Sequence, residues 1–350
     1  MNKSGDVAGQ NLKRLDRIIH GRETLTIVMH DYPDPDALAS AMILSYLVRN
    51  RYGVRPRIVY GGVITRAENR AMVQQLKLHV LPISGVRLDK HSLIAMVDTQ
   101  PGFGNNSLSR QLVPAMVFDH HRGGDLAHVQ LADVRPEYGA SATMLIEYLH
   151  AAGLEILVDI ATAVTYAIRT ETQELGRDVS QADIDTYLSV YEKANKHKLA
   201  KIFHPSLPNQ YYSMLFTALQ QAKIFQHLIH VHLKEVASPE FVALIADLLL
   251  RHERMGWSLV TGRYHEQLFI SMRCNHPQAH AGKMLKQIVG TMGSAGGHPR
   301  MAGGQIPCTE ENEQEWERLE TEVVGRFLTK LSIRRDVVWK PLVRDRNSAQ

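Results

Sequence analysis

Three groups of polar residues carry the side chains best suited to chemistry. His30, Asp34 and Asp36 lie in the run His30-Asp31-Tyr32-Pro33-Asp34-Pro35-Asp36, Asp98 stands alone after an apolar stretch, and Asp119-His120-His121 follow another. Carboxylates and imidazoles in this mixture, without thiolates, suit Mn²⁺, with Mg²⁺ as the weaker alternative, rather than thiolate-bound Zn²⁺. Two such ions roughly 3.5–4 Å apart can activate water and neutralise charge on a phosphoryl group in transfer. A buried cluster of carboxylates without cations would be costly through mutual repulsion. Each group alone is a weak signal, because H-x-x-x-D-x-D is often a cap-and-loop cluster and D-H-H arises by chance.

Their placement on elements makes the combination stronger. Apolar runs at 25–29, 57–60, 93–97 and 115–118 read as buried strands, and the stretches 37–50 and 66–76 between them have helical spacing. Asp34-Pro35 supplies a helix N-cap followed by a first-turn proline. Strands alternating with helices predict a doubly wound parallel sheet covered on both faces. The candidate ligands directly follow the first, third and fourth strands. In an open parallel sheet the strand C-termini share one edge, where ligands bind. Residues spread over ninety positions should therefore converge.

The bulk numbers agree with a soluble, two-domain α/β protein. The chain has 350 residues, 44% of them apolar and 22% charged, too many for one ordinary core. A net charge of +4, from 40 basic and 36 acidic residues, permits an anionic substrate but lacks the dense basic stripes of a protein that coats long duplexes. The two cysteines, Cys274 and Cys308, form no C-x-x-C pair, the first 22 residues lack a signal-peptide core, and the apolar run 241–250 is too short to span a bilayer. A cytoplasmic protein with no membrane partner is expected.

Several segments together resemble the DHH phosphoesterase superfamily: HDYPDPDALASA (30–41), VDT (97–99), DHH (119–121) and GASAT (139–143). ISMR (270–273) and GSAGGHPRMAGG (293–304) resemble its DHHA1 substrate-binding domain. The resemblance spans nearly the whole chain and points to the branch of nano-RNases, pAp phosphatases and RecJ-like proteins. It implies a DHH catalytic domain over 1–192, a linker over 193–212, a smaller α/β DHHA1-type domain over 213–335 across a cleft, and a polar basic tail over 336–350. It also implies roles. His30 and Asp34 would hold one ion, Asp36 the other, and Asp98 would bridge them. His120 would complete the first ion's shell, His121 would contact the scissile phosphate, and Asp119 would orient the histidines from behind. The family usually offers T-D-T for the second ion, whereas this chain reads Thr170-Glu171-Thr172. Glu171 is expected to remain a ligand despite its extra methylene. Arg273, Gly296, Gly297 and His298 would grip the substrate.

The expected activity is hydrolysis of a phosphate ester in a short oligonucleotide or small nucleotide. A polyphosphate-type phosphohydrolase and a non-catalytic nucleotide-binding regulator with a weakened second metal site are the alternatives, and a homodimer is compatible with the sequence. His227, His230 and His232 lack the i, i+4 spacing of a helical metal site, and the lysines at 193, 196, 198 and 201 suit a solvated helix face.

Overall fold

The computed structural model describes residues 3–343 except 65, 277, 298 and 309–311, with side chains from residue 7 onward. The chain divides into two compact units, 1–206 and 207–350.

The first unit runs α1 (Lys3–Ile19), β1 (Thr24–Val28), α2 (Pro35–Tyr52), β2 (Arg55–Tyr60), α3 (Ala67–Gln75), β3 (Val80–Pro82), β4 (Ile94–Val97), β5 (Met116–Asp119), β6 (Leu131–Val134), α4 (Ser141–Ala151), α5 (Val158–Glu171), α6 (Gln181–Lys193) and α7 (Lys196–Phe203). All six strands are parallel, in the order β3-β2-β1-β4-β5-β6. The chain thus winds outward from β1 in one direction and from β4 in the other, and the order reverses between these neighbours. Adjacent residues of a strand face opposite sides of the sheet. Leu25 and Ile27 accordingly join the larger core with Leu44, Leu47, Leu145, Tyr148 and Ile160 from α2, α4 and α5. Val28, Val59, Ile94, Met96 and Val117 form a smaller cluster on the other side, covered by Ile83, Val86, Leu88, Leu108 and Leu112 from connecting segments.

The N-cap reading of Asp34 holds in detail. Its Oδ1 accepts from the Asp36 and Ala37 backbone N–H groups, both at 3.0 Å, and Pro35 opens α2. Gly53 ends the helix in the left-handed region at φ +69°, where a side chain would be strained. The segment read as a linker instead contains α7. Asn195 caps it by accepting from Lys198 N, and Leu199 and Ile202 are buried in the first core. Those two apolar residues, three apart, outweigh the basic composition around them. Lys198 pairs with Asp159 at 2.6 Å, as a solvated helix face allows.

The second unit runs α8 (Asn209–Gln221), β7 (Lys223–Phe225), β8 (Leu228–Glu235), α9 (Glu240–Leu250), β9 (Trp257–Tyr264), β10 (Gln267–Cys274), α10 (Ala281–Val289), β11 (Ser294–Gly297), β12 (Met301–Pro307), α11 (Glu313–Lys330) and β13 (Lys340–Pro341). Its mixed sheet is ordered β11-β12-β10-β9-β8-β7-β13, with β8 and β9 parallel and the other pairs antiparallel. Leu285, Ile288, Val323 and Phe327 from α10 and α11 belong to one buried cluster, and Ala218, Ile245 and Leu249 from α8 and α9 to another. The apolar run 241–250 is thus core, and among the described residues no helix is long and apolar enough to cross a membrane. The glycine-rich run forms the β11–β12 hairpin. A Cβ on Gly297 would lie 2.4 Å from Met301 O, so the close pairing of the strands explains this glycine. The expected tail also departs from a free end. Val337 and Trp339 pack on the core and Lys340–Pro341 pairs with β7, while 344–350 lie outside the described residues.

Candidate metal centre

The reversal point of the first sheet lies between β1 and β4, and there two chain ends must diverge and leave a crevice. His30, Asp34 and Asp36 leave β1 on one side of it, and Asp98 leaves β4 on the other. Asp98 sits in the left-handed region at φ +55°, which Asp tolerates better than bulky residues. His120 and His121 arrive from β5, the next strand over. Local backbone chemistry therefore brings these three groups to one sheet edge.

The geometry is that of two nests sharing one carboxylate. His30 Nε2 lies 3.4 Å from Asp34 Oδ2 and 3.6 Å from Asp98 Oδ2. The other oxygen, Asp98 Oδ1, lies 3.5 Å from His120 Nε2 and 3.6 Å from His121 Nδ1. Asp34 splits its work, with Oδ1 capping α2 and Oδ2 facing His30. His30 Nδ1 is 2.9 Å from Asp31 O, and His120 Nδ1 is 3.0 Å from Tyr138 O. A carbonyl only accepts, so each Nδ1 carries the proton and each Nε2 turns toward the carboxylates, the arrangement ligating histidines adopt.

His120 also approaches Asp36, with Nε2 3.9 Å from Asp36 Oδ2. This corrects the assignment of His120 to the shell of His30. Because β5 lies beyond β4, Asp98 stands between His120 and the residues on β1, and His120 falls on the Asp36 side. Asp36 itself is fully buried, and its two oxygens accept from Ser141 N at 2.6 Å and Ala142 N at 2.9 Å. These are the unsatisfied N–H groups of the first turn of α4, a natural place for an anion. Ser141 Oγ donates to Asp98 Oδ1 at 3.2 Å. The GASAT segment thus holds two of the carboxylates.

Burial and mutual repulsion among the carboxylates dominate the electrostatics of the site. Burial, then the Asp98 and Asp34 carboxylates, push the Asp36 carboxyl well above its ordinary pKa. Burial and the carboxylates of Asp34, Asp36 and Asp98 do the same to Glu171. Burial opposes the imidazolium of His30, but Asp34 and Asp98 outweigh it and raise its pKa well above the usual value. His120 Nε2 is buried with no hydrogen-bond partner among the described residues. A bare imidazole nitrogen facing carboxylates is repulsive unless a cation lies between them, so these residues fit divalent cations.

Glu171, the last residue of α5, is close enough to feel those three carboxylates. It belongs to neither group of ligand atoms that, among the described residues, lie within 4.8 Å of one another: His30, Asp34 and Asp98, or Asp98, His120 and His121. Asp119 points away from the nests. Its Oδ1 accepts from His120 N at 2.7 Å, His121 N at 3.2 Å and His121 Nδ1 at 2.8 Å, which sets the turn that presents both histidines.

Supporting residues escaped the sequence reading. Asp183 is fully buried and accepts from Gly139 N, Thr143 Oγ1, Ser180 N and Ser180 Oγ, at 2.6–2.8 Å. It ties the start of α4 to the capping box of α6, and the signal was visible as Ser180-x-x-Asp183. Arg135 is buried, bonded to Asp133 at 2.8 Å and Glu147 at 2.6 Å, and the Tyr138 hydroxyl donates to Glu147 at 2.7 Å. This cluster locks the residue whose carbonyl holds His120. Gln100 Nε2 donates to His121 O at 2.8 Å. No sequence spacing announces the last two.

The expected substrate residues of the second unit fare differently. Arg273 is buried and already committed to Asp247, Ser271 Oγ at 2.7 Å and Met272 O at 3.1 Å. Its guanidinium is thus held by the protein, with Asp247 as its ionic partner. Gly296 and Gly297 lie on the edge strand β11, and a Cβ at Gly296 would meet nothing within 4 Å. His298 lies outside the described residues.

Residues 24–168 match the DHH family N-terminal domain, and residues 225–324 match the DHHA1 domain. An uncharacterized protein of Methanocaldococcus jannaschii is 32% identical over 291 residues, which cover 81% of this chain and 58% of that protein. The chain thus spans little more than half the length of this relative. The crystal structure of an exopolyphosphatase-related protein from Bacteroides fragilis shares the fold, with a TM-score of 0.72 at 13% identity over 93% of this chain and 98% of that one. A DHH domain with its acidic and histidine side chains at the sheet reversal, followed by a DHHA1 domain, places the chain in the DHH/DHHA1 superfamily, whose members are generally metal-dependent phosphoester hydrolases.

Proposed function

We propose that this protein hydrolyses phosphate esters of short oligonucleotides or small nucleotides, using two divalent cations, Mn²⁺ in preference to Mg²⁺. The observation that carries the reading is the two-sided use of Asp98, whose Oδ2 faces His30 while its Oδ1 faces His120. One carboxylate shared by two ligand nests is what a cation pair needs. His30, Asp34 and Asp98 would hold one ion, and Asp36, Asp98 and His120 the other, with Glu171 drawn in on the second. Bound there, such cations polarise a phosphoryl group and make water acidic enough to attack it.

The chain's own residues prepare the rest. The N-terminus of α4 favours the charged form of Asp36 and offsets part of the burial and carboxylate repulsion that raise its pKa. Asp119 fixes the ring of His121 and favours its protonated form. His121, partly exposed at the mouth of the site, then donates a hydrogen bond to a phosphoryl or leaving oxygen. A modest net charge of +4 supports a small substrate over a long polymer.

A hydrolysis panel in Mn²⁺ tests the proposal, with di- to pentanucleotides, 3′,5′-bisphosphorylated adenosine, cyclic dinucleotides and polyphosphate. Turnover of one of the short nucleotide esters, abolished by EDTA, is expected. Bound Mn²⁺ with no ester cleaved would favour a regulatory protein, and cleavage of polyphosphate alone would replace the substrate class.

Glu171 has its own test. Glu171→Asp should preserve or raise Mn²⁺-dependent activity, and Glu171→Gln should lower it about tenfold or more, since ligand-sphere changes commonly cost 10–100-fold. Activity unchanged in Glu171→Gln would remove Glu171 from the second ion's sphere.

A further inference from the structure

A second recess lies within the second unit, with a volume of about 360 Å³, lined by Gln220, Gln221, Lys223, His230, His232 and Trp339, among others. It sits at the β7–β13 end of the sheet, whereas the glycine-rich β11–β12 hairpin forms the opposite end. It is therefore distinct from the strands expected to meet the substrate.

His230 is the unusual member. It is 95% buried, from a relative exposure of 5%, and neither of its ring nitrogens has a hydrogen-bond partner among the described residues. Leaving a buried polar group unmet is costly, so an imidazole placed like this calls for a ligand. Alternation along β8 puts His232, two residues on, on the same face, with ring centroids 5.2 Å apart. Thr261 Oγ1 lies 2.6 Å from His232 Nδ1 and holds that ring. Trp339 closes one side, its ring centroid 4.2 Å from that of His230.

Two ligand classes fit a pair of histidines, and the surroundings separate them. A transition metal would want further anionic ligands. The charged residue lining the recess is Lys223. Burial, then His232 and the Lys223 ammonium, lower the pKa of His230 to about 3, and burial lowers that of His232 against the opposing pull of Glu320. Both rings thus favour the neutral form, and among the described residues lining the recess none is a carboxylate that could complete a metal's shell. A neutral imidazole offers one donor and one acceptor, and the Gln220 and Gln221 amides at the rim offer both. An indole face, donor–acceptor edges and one exposed ammonium match a planar heterocycle bearing a phosphate. The volume falls at the lower end of small-ligand sites, about 300–1,000 Å³.

We propose that this recess is a mononucleotide-binding site separate from the metal centre, with the base packed on Trp339 and read by His230, and the phosphate at Lys223. Such a molecule is the product class of the hydrolysis proposed above, but the recess is inferred from its own residues and stands without that reading.

Calorimetric titration of the full chain in EDTA, with adenosine 5′-monophosphate, adenosine and inorganic phosphate, tests the site apart from the metals. The monophosphate should bind, and more tightly than adenosine or phosphate alone. Lys223→Ala, at an exposed position of β7, should weaken the monophosphate about tenfold and leave adenosine unchanged. His230→Leu should weaken both. Asp98→Asn should leave all three titrations unchanged, which separates this site from the catalytic proposal. No monophosphate binding in EDTA, or equal affinity in Lys223→Ala, overturns the assignment. So does stoichiometric Zn²⁺ binding that His230→Leu abolishes.

Discussion

Asp98→Asn is expected to reduce Mn²⁺-dependent hydrolysis by at least about a thousandfold, because loss of even one preorganised electrostatic partner costs about 10²–10³ and this carboxylate serves two ions. The substitution keeps shape and burial, and an amide can still accept from Ser141 Oγ, which is 3.2 Å away. What it removes is the charge that both nests share. Stability gives an independent readout. A ligand that binds only the folded chain stabilises it by about 2.7 kcal/mol at a hundred times its Kd. Mn²⁺ should therefore raise the Tm of the wild type and of an exposed-site control, and raise that of Asp98→Asn far less. An unchanged Mn²⁺ shift in Asp98→Asn would falsify the bridging role.

The second large effect concerns His121. Burial works against its charge, but the bond to Asp119 and the nearby Asp98 raise its pKa to about 9. Its Nδ1 is 3.6 Å from Asp98 Oδ1 yet 2.8 Å from Asp119 Oδ1, so the nitrogen nearest the nest is already engaged. This argues for a substrate-facing donor and against a ligand. His121→Gln should lower kcat by about 10²–10⁴, the range for a positioned acid or donor, and retain the Mn²⁺-induced rise in Tm. Loss of that rise would make His121 a ligand instead. Asp119→Asn should act through the same ring. Without the carboxylate the imidazolium is held less strongly, its pKa falls, and the alkaline limb of kcat/KM moves to lower pH. Bound cations offset the field of Asp98 but not the direct Asp119 bond, so the shift should persist in saturating Mn²⁺.

The strands that carry the ligands were legible because they are buried on both faces and read as unbroken apolar runs: Ile94–Val97 and Met116–Asp119 begin and end within a residue or so of their expected limits. In the first sheet two strands, Val80–Pro82 and Leu131–Val134, went unread, since three or four residues carry too little periodicity to separate a strand from a loop. The helix Lys3–Ile19 was legible in principle. Ala8, Leu12, Leu15 and Ile19 recur at helical spacing and are buried.

Residue type and order along the chain were enough to bring the candidate ligands together, because a parallel sheet sends every strand end to the same edge, and a residue placed just after a strand must arrive there. Which ligand faces which was beyond them. That His120 approaches Asp36 follows from β5 lying beyond β4, and that Asp36 rests on the α4 N-terminus follows from a contact across 105 positions. Arg273 shows the same limit from the other side. Its type suits a phosphate, and the fold adds Asp247 on α9, 26 residues away in sequence, as its ionic partner. Local sequence specifies what a side chain can bind; packing decides which partner reaches it, because charge–charge energies depend on distances that only the assembled fold sets.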